Sequence, residues 1–123
     1  HARYRDWLEA LVNSDQRVGL STVVLSGVAR VATHPAIFAR PTPIAEVLDY
    51  LNDLVNAPLC TLVQPGARHY WHFERLCRRL SLVGNQVPDA WLAALAIDSD
   101  SDWVTTDRGF ARYPGLRWRH PLE

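Results

Sequence analysis

Apolar residues return at helical intervals through most of the chain and give way only briefly to short β-prone runs. Trp7, Leu8, Leu11 and Val12 share one face of a predicted helix over Ala2–Asn13, which Asn13-Ser14-Asp15 ends. Val18–Leu20 reads as a short strand. Val24, Leu25, Val28 and Val31 mark a second helix, capped at Ser21 or Thr22. It stops before Pro35, which disfavours helical geometry at His34. After a loop containing Ile37-Phe38 and Pro41, Thr42-Pro43 opens a third helix, a cap followed by proline in the first turn. Glu46 lies where the helix dipole favours an acid. The apolar face is Ile44, Val47, Leu48, Leu51 and Val55, and Pro58 closes it.

The second half repeats this rhythm. Thr61–Val63 is a predicted strand and Pro65-Gly66 a turn. Arg68–Leu82 is a predicted helix with Tyr70, Phe73, Leu76, Cys77 and Leu80 inward, ended by Gly84-Asn85. Pro88-Asp89 opens the next helix, apolar at Trp91, Leu92, Leu95 and Ile97 and ending near Asp98-Ser99-Asp100. Trp103–Thr106 is β-prone and runs into Asp107. A short turn of helix is expected over Arg108–Arg112, and Leu116–Trp118 as a last edge strand. Short strands alternating with helices predict an α/β fold, a parallel sheet covered by helices on both faces.

The chain's 123 residues fit a single domain, residues 1–123, and 48% apolar content with 5 Trp and 4 Tyr is enough to bury a core. Thirteen basic residues balance thirteen acidic ones, so no global field announces a nucleic-acid partner. A basic rim confined to one face is compatible with that balance. The two cysteines, Cys60 and Cys77, lack the spacing of a zinc site, and a reduced, cytoplasmic protein is the simpler reading. No apolar run approaches the roughly 18 residues of a membrane span. Met is absent and His1 stands directly before a helical pattern, so residues upstream are expected to have been cleaved, disordered or omitted.

Two acids are placed for chemistry. Active sites of open parallel sheets form beyond the carboxyl ends of the strands, where Asp107 follows its strand. Asp89 stands in the first turn of the preceding helix, and helix N-termini lie at that same edge. Two close carboxylates raise each other's proton affinity, a conflict that a hard divalent cation resolves. Each acid also has an ordinary reading: Asp89 as a dipole-favoured acid, Asp107 as an Asx-type cap of the short helix after it. On position alone both readings stay open.

Gly84–Ala96 resembles the third-acid segment of PIN-domain, VapC-type toxins. Val104–Trp118 is similar to their fourth-acid segment and closing strand, and Arg30–Pro35 with Ile37-Phe38 to their second conserved helix and its loop. The resemblance implies a three-layer α/β/α domain with a short parallel sheet, binding Mg²⁺ or Mn²⁺ and cutting RNA as the toxin of a toxin–antitoxin pair. It assigns Asp89 and Asp107 as metal ligands. Thr105, the Thr of the family's Thr-x-Asp element, would hold a water or phosphate; as an ordinary β-branched strand residue it needs no such role.

Three positions depart from the family pattern. Its first acid lies on an N-terminal strand that does not precede His1. Gly27 stands where a helical Glu is usual, and Gly109 where a further acid often follows. A catalytically impaired module that binds RNA or an antitoxin without cleavage is therefore the alternative. The missing strand is a central one, so its neighbours would be left unpaired unless something fills the gap.

Arg108 and Arg112 flank Asp107 as candidate RNA contacts, with Arg117, Arg119 and His120 beyond; solvated surface arginine is the ordinary alternative for each. His34, His69 and His72 show no metal-ligand spacing. Trp71, Trp91, Trp103 and Trp118 are expected in core or interface rather than under bases. The resemblance further implies a homodimer and a cognate antitoxin docked near Phe38 along the second and third helices.

Overall fold

The computed structural model describes residues 2–123, so the expectations placed on His1 lie outside the described residues. In chain order the elements are α1 (Ala2–Val12), β1 (Val18–Ser21), α2 (Thr22–Ala32), α3 (Ile44–Val55), β2 (Cys60–Val63), α4 (His69–Leu80), α5 (Gln86–Asp98), β3 (Trp103–Val104), a short 3₁₀ helix (Arg108–Arg112) and β4 (Trp118–Arg119). The fold is α/β on short parallel strands, as the alternation predicts. Two compact units form, one ending at Val63 and one spanning Gln64–Glu123.

In the first unit β1 runs parallel to β2, with Val18 opposite Cys60 and Ser21 opposite Val63. A parallel pair needs a long crossover, which α2 and α3 supply. Val47, Leu51 and Leu54, spaced by helical turns on α3, bury against Val12 and Cys60. The third helix has Pro43 rather than Thr42 at its cap position, without a side-chain cap bond. The Thr42 amide instead donates to the Ala32 carbonyl at 3.0 Å, which ties the α2–α3 loop back to α2.

The second helix has no buried residue. Val23, Val24 and Val28 are exposed, and Val24, Val28, Val31 and Phe38 line an open apolar groove. Gly27 sits in the middle of this helix, and a Cβ built there meets nothing within 4 Å. Replacing a mid-helix glycine with alanine removes backbone entropy from the unfolded chain at no steric cost here. Gly27→Ala is expected to raise stability by about 0.5–1 kcal/mol, read from urea unfolding; an unchanged or lowered midpoint would contradict it.

In the second unit α4 and α5 pack through Leu76, Ala90, Ala93 and Ala94. The three alanines are fully buried. The tightest face of α5 is thus made of its smallest residues, which allow close helix approach, and Trp91, Leu92 and Ile97 are only partly covered. The fourth helix ends at Leu80, before the Gly84-Asn85 signal, because Ser81 takes the left-handed conformation at φ 48°. One inward assignment fails on this helix: Tyr70 is 68% exposed, while Trp71, expected in core or interface, is 48% exposed and so lies outside the core. Phe73, Cys77 and Leu80 do face the core.

The pair β3–β4 is parallel, Trp103 opposite Trp118 and Val104 opposite Arg119. The Thr105 amide extends the pairing by donating to the Arg119 carbonyl at 3.1 Å. Arg117, a candidate for a phosphate-facing rim, instead clamps the approach to these strands. Its Nε donates to Asp102 at 2.8 Å and its Nη1 to Asp100 at 2.9 Å.

Candidate active site

The strand expected to run to Thr106 ends at Val104, so Asp107 stands three positions past β3, where it caps the 3₁₀ helix. Its Oδ1 accepts from the Gly109 amide at 2.8 Å, while the Thr105 Oγ1 accepts from the Asp107 amide at 3.1 Å. The Asx-cap reading is therefore a fact of the geometry, but a cap uses one carboxylate oxygen. The second oxygen of Asp107 stays available, and the Thr105 hydroxyl keeps its own proton to donate. Gly109 is fitted to this arrangement, because a Cβ there would lie 2.9 Å from Asp107 Oδ1 and 3.2 Å from Arg112 Nη2. An acid at position 109 would have to displace the capping carboxylate.

Asp89 stands in the first turn of α5, partly buried beside the fully buried Ala90. The turn is anchored from both sides: Gln86 Oε1 accepts from the Val83 amide at 3.1 Å, and the Tyr113 hydroxyl donates to the Gln86 carbonyl at 3.0 Å. Burial pushes the Asp89 carboxyl above the ordinary carboxylate range, the negative charge of Asp107 pushes it further, and Arg112 partly offsets both. The Tyr113 phenol is raised as well, first by burial and then by Asp89, with Asp107 adding a smaller push and Arg112 opposing. Asp89, Asp107, Arg112 and Tyr113 thus share one electrostatic site.

Sequence reasoning names Asp89, Asp107 and Arg112 as candidates but not Tyr113 or Gln86. Their signal was weak: one aromatic residue in a loop, and one amide just before the proline that seemed to open the helix. Arg112 is held by its Nε donating to the Gly109 carbonyl at 2.9 Å. Arg108 turns to a different partner, an exposed ion pair with Glu123.

Among the described residues no group of three or more His, Cys, Asp or Glu side chains is placed to hold a metal ion. The candidate oxygen donors are the carboxylates of Asp89 and Asp107 and the Thr105 hydroxyl, whose oxygen accepts from the Asp107 amide. Hard oxygen donors that repel one another suit Mg²⁺, which is commonly held by one or two protein carboxylates and completes its shell with water or phosphate.

The model of the PIN domain matches residues 1–116. The chain belongs to the PIN-domain family. This PIN domain is 42% identical over 123 residues to the VapC ribonuclease Mb2897 of Mycobacterium bovis, covering all of this chain and 84% of that relative. It is equally similar, with the same coverage, to Ribonuclease VapC43 of Mycobacterium tuberculosis. Among solved structures, VapBC-1 from nontypeable Haemophilus influenzae superposes with a TM-score of 0.73 at 16% identity, covering 99% of this chain and 90% of that one. This likeness shows the PIN fold.

The raised Asp89 carboxyl sets a pH dependence in metal-free PIN domain. Its folded pKa lies above the unfolded value, so the protonated carboxyl favours the fold below the unfolded pKa, and that advantage is lost as pH rises through the folded pKa. Asp89→Asn is expected to raise the melting temperature in EDTA at neutral pH, with the gap closing toward acid. A gap independent of pH across the carboxylate range would contradict this.

Proposed function

We propose that the chain is a metal-dependent endoribonuclease, the toxin of a type II toxin–antitoxin pair, which hydrolyses RNA phosphodiesters. The observation that supports this reading is that the charge of Asp107, which caps the 3₁₀ helix, reaches the Asp89 carboxyl in the first turn of α5 and raises it. The relatives named VapC ribonucleases support RNA as the substrate.

Asp89 and Asp107 would hold Mg²⁺ or Mn²⁺. When bound, such an ion acidifies water and neutralises charge on a phosphate under attack. The chain's own groups do the positioning. The Gly109 amide fixes the Asp107 carboxylate by its Oδ1. Thr105, whose oxygen already accepts from the Asp107 amide, has its hydroxyl proton for a water or a phosphate oxygen. Arg112 supplies positive potential at the acids and a contact for RNA phosphate. Arg108 is a second candidate RNA contact once released from Glu123, an exposed pair that costs little to break.

The partners in this reading are RNA, a second copy of the chain and a cognate antitoxin. A solved neighbour is a VapBC structure. The open groove of Val24, Val28, Val31 and Phe38 suits an apolar antitoxin segment. A cytoplasmic location belongs to the same reading and agrees with the free thiols of Cys60 and Cys77. Among the described residues, no helix is long and apolar enough to cross a membrane.

Gly27, which stands where a helical Glu is usual in the family, favours a second reading, a module that binds RNA or the antitoxin without cutting. Incubating the purified chain with RNA and Mg²⁺, Mn²⁺ or EDTA decides between them. Cleavage with either cation and none in EDTA supports the enzyme. RNA binding without cleavage under all three conditions supports the module.

A further inference from the structure

We propose that the outer face of α4 is a binding surface for single-stranded RNA, with Trp71 stacking on a base and Arg68, Arg75, Arg78 and Arg79 taking the phosphates. The proposal deepens the ribonuclease reading, on which it rests for the nature of the substrate. Helical spacing puts these five residues within one stripe, at i, i+3, i+7, i+10 and i+11. The opposite stripe carries His69, Phe73, Leu76 and Leu80 into the core.

Three features set the stripe apart from an ordinary solvated helix face. The first is charge. Four arginines face one acid, Glu74, which lies 3.8 Å from Arg78 in an exposed pair. In a chain whose charges balance to +0, that concentration is local. The second is its cost to the helix. Arg78 and Arg79 stand in the last turn, where the dipole welcomes cations, but Arg68 stands at the N-terminal cap, where it opposes the dipole, and no acid sits in the first turn. Arg75 and Arg79 repel at i, i+4.

The third feature is the exposed indole between cations. The Arg68 guanidinium lies 4.5 Å from the centroid of the Trp71 ring and that of Arg75 5.5 Å. A base can stack on such a ring or guanidinium plane while the same arginines reach its phosphates.

The chemistry chooses among occupants. A second copy meeting this face by two-fold symmetry would set arginine against arginine. An acidic polypeptide would use the charges but leaves no role for an exposed indole. Single-stranded RNA uses both.

The test is binding of a short, fluorescein-labelled single-stranded RNA to the full chain carrying Asp89→Asn, in EDTA, so that cleavage plays no part. Trp71→Ala is expected to weaken binding by about 5- to 100-fold without changing the salt dependence, and Trp71→Phe to recover most of the loss. Arg75→Gln with Arg79→Gln is expected to flatten the slope of log affinity against log salt by about 1–1.5, the share of two phosphates on a single strand. Arg17→Gln with Arg40→Gln, exposed arginines elsewhere, should leave both quantities unchanged.

The proposal is overturned by stripe variants that bind like the parent, by an equal loss from the Arg17 and Arg40 pair, by a parent that binds no RNA, or by poly-glutamate of matched charge competing as well as RNA. Stripe-dependent binding in a chain that never cleaves RNA would retain the surface and sink the ribonuclease reading. Cleavage by a chain whose stripe variants bind normally would do the reverse.

Discussion

Asp107→Asn is expected to fold like the parent and to cleave RNA at least about 100-fold more slowly in Mg²⁺ or Mn²⁺. The substitution separates two duties that one side chain performs. The amide oxygen can still accept from the Gly109 amide, now bonded to Asp107 Oδ1 at 2.8 Å, so the start of the 3₁₀ helix survives. What disappears is the negative charge that a cation needs and that Asp89 feels. Asp107→Ala removes the cap as well, and should add a stability loss of about 1 kcal/mol to the same loss of cleavage. Asp89→Asn is expected to match Asp107→Asn in activity while gaining stability in EDTA. The double variant should be little worse than either single one, because carboxylates sharing one ion act as a unit. Cleavage kinetics over a series of Mg²⁺ concentrations, with urea unfolding of the same preparations, measure both effects. Parental rates in both single variants would remove the two acids from the mechanism.

The two acids were legible in the sequence because each sits at a punctuation mark, one in a first helical turn and one at a strand end. The helices of the first half were legible for a similar reason: prolines and apolar periodicity agree over α3, although Thr42 does not cap it. Other features depend on what lies opposite, which one sequence does not display. Apolar periodicity marks α2 as a helix but not which of its sides is covered, and Val23, Val24 and Val28 face outward. Of the large apolar residues expected along α5, Leu95 is buried and Leu92 and Ile97 pack at the edge of the core, but Ala90, Ala93 and Ala94 make the close contact. Trp71, expected in core or interface, lies outside the core, on the cationic side of α4 beside the arginines at i−3 and i+4. Tyr113 was invisible as a site residue because its role is a single bond to the Gln86 carbonyl, across 27 positions of sequence.

Phe110→Ala is expected to be the most destabilising single change near the site, costing about 3–5 kcal/mol and lowering the melting temperature by about 10–20 °C. Phe110 is the buried residue of the 3₁₀ helix, only 4% exposed. Its ring lies 5.5 Å from that of Trp103 and 5.6 Å from that of Tyr113. Truncation therefore leaves a cavity between the strand that leads to Asp107 and the tyrosine that holds the first turn of α5. The consequence reaches the chemistry, because the 3₁₀ helix has Asp107 at its head and Arg112 at its end, and Phe110 is the side chain that seats it. Phe110→Leu keeps most of the apolar volume and should retain the larger part of both stability and cleavage. Urea unfolding and RNA cleavage of the two variants at a temperature where both remain folded separate the contributions. A stability loss for Phe110→Ala below about 1 kcal/mol, the size of an average substitution, would mean that the acids are positioned without this ring. The seating of Asp107 would then rest on its hydrogen bonds to Gly109 and Thr105 alone.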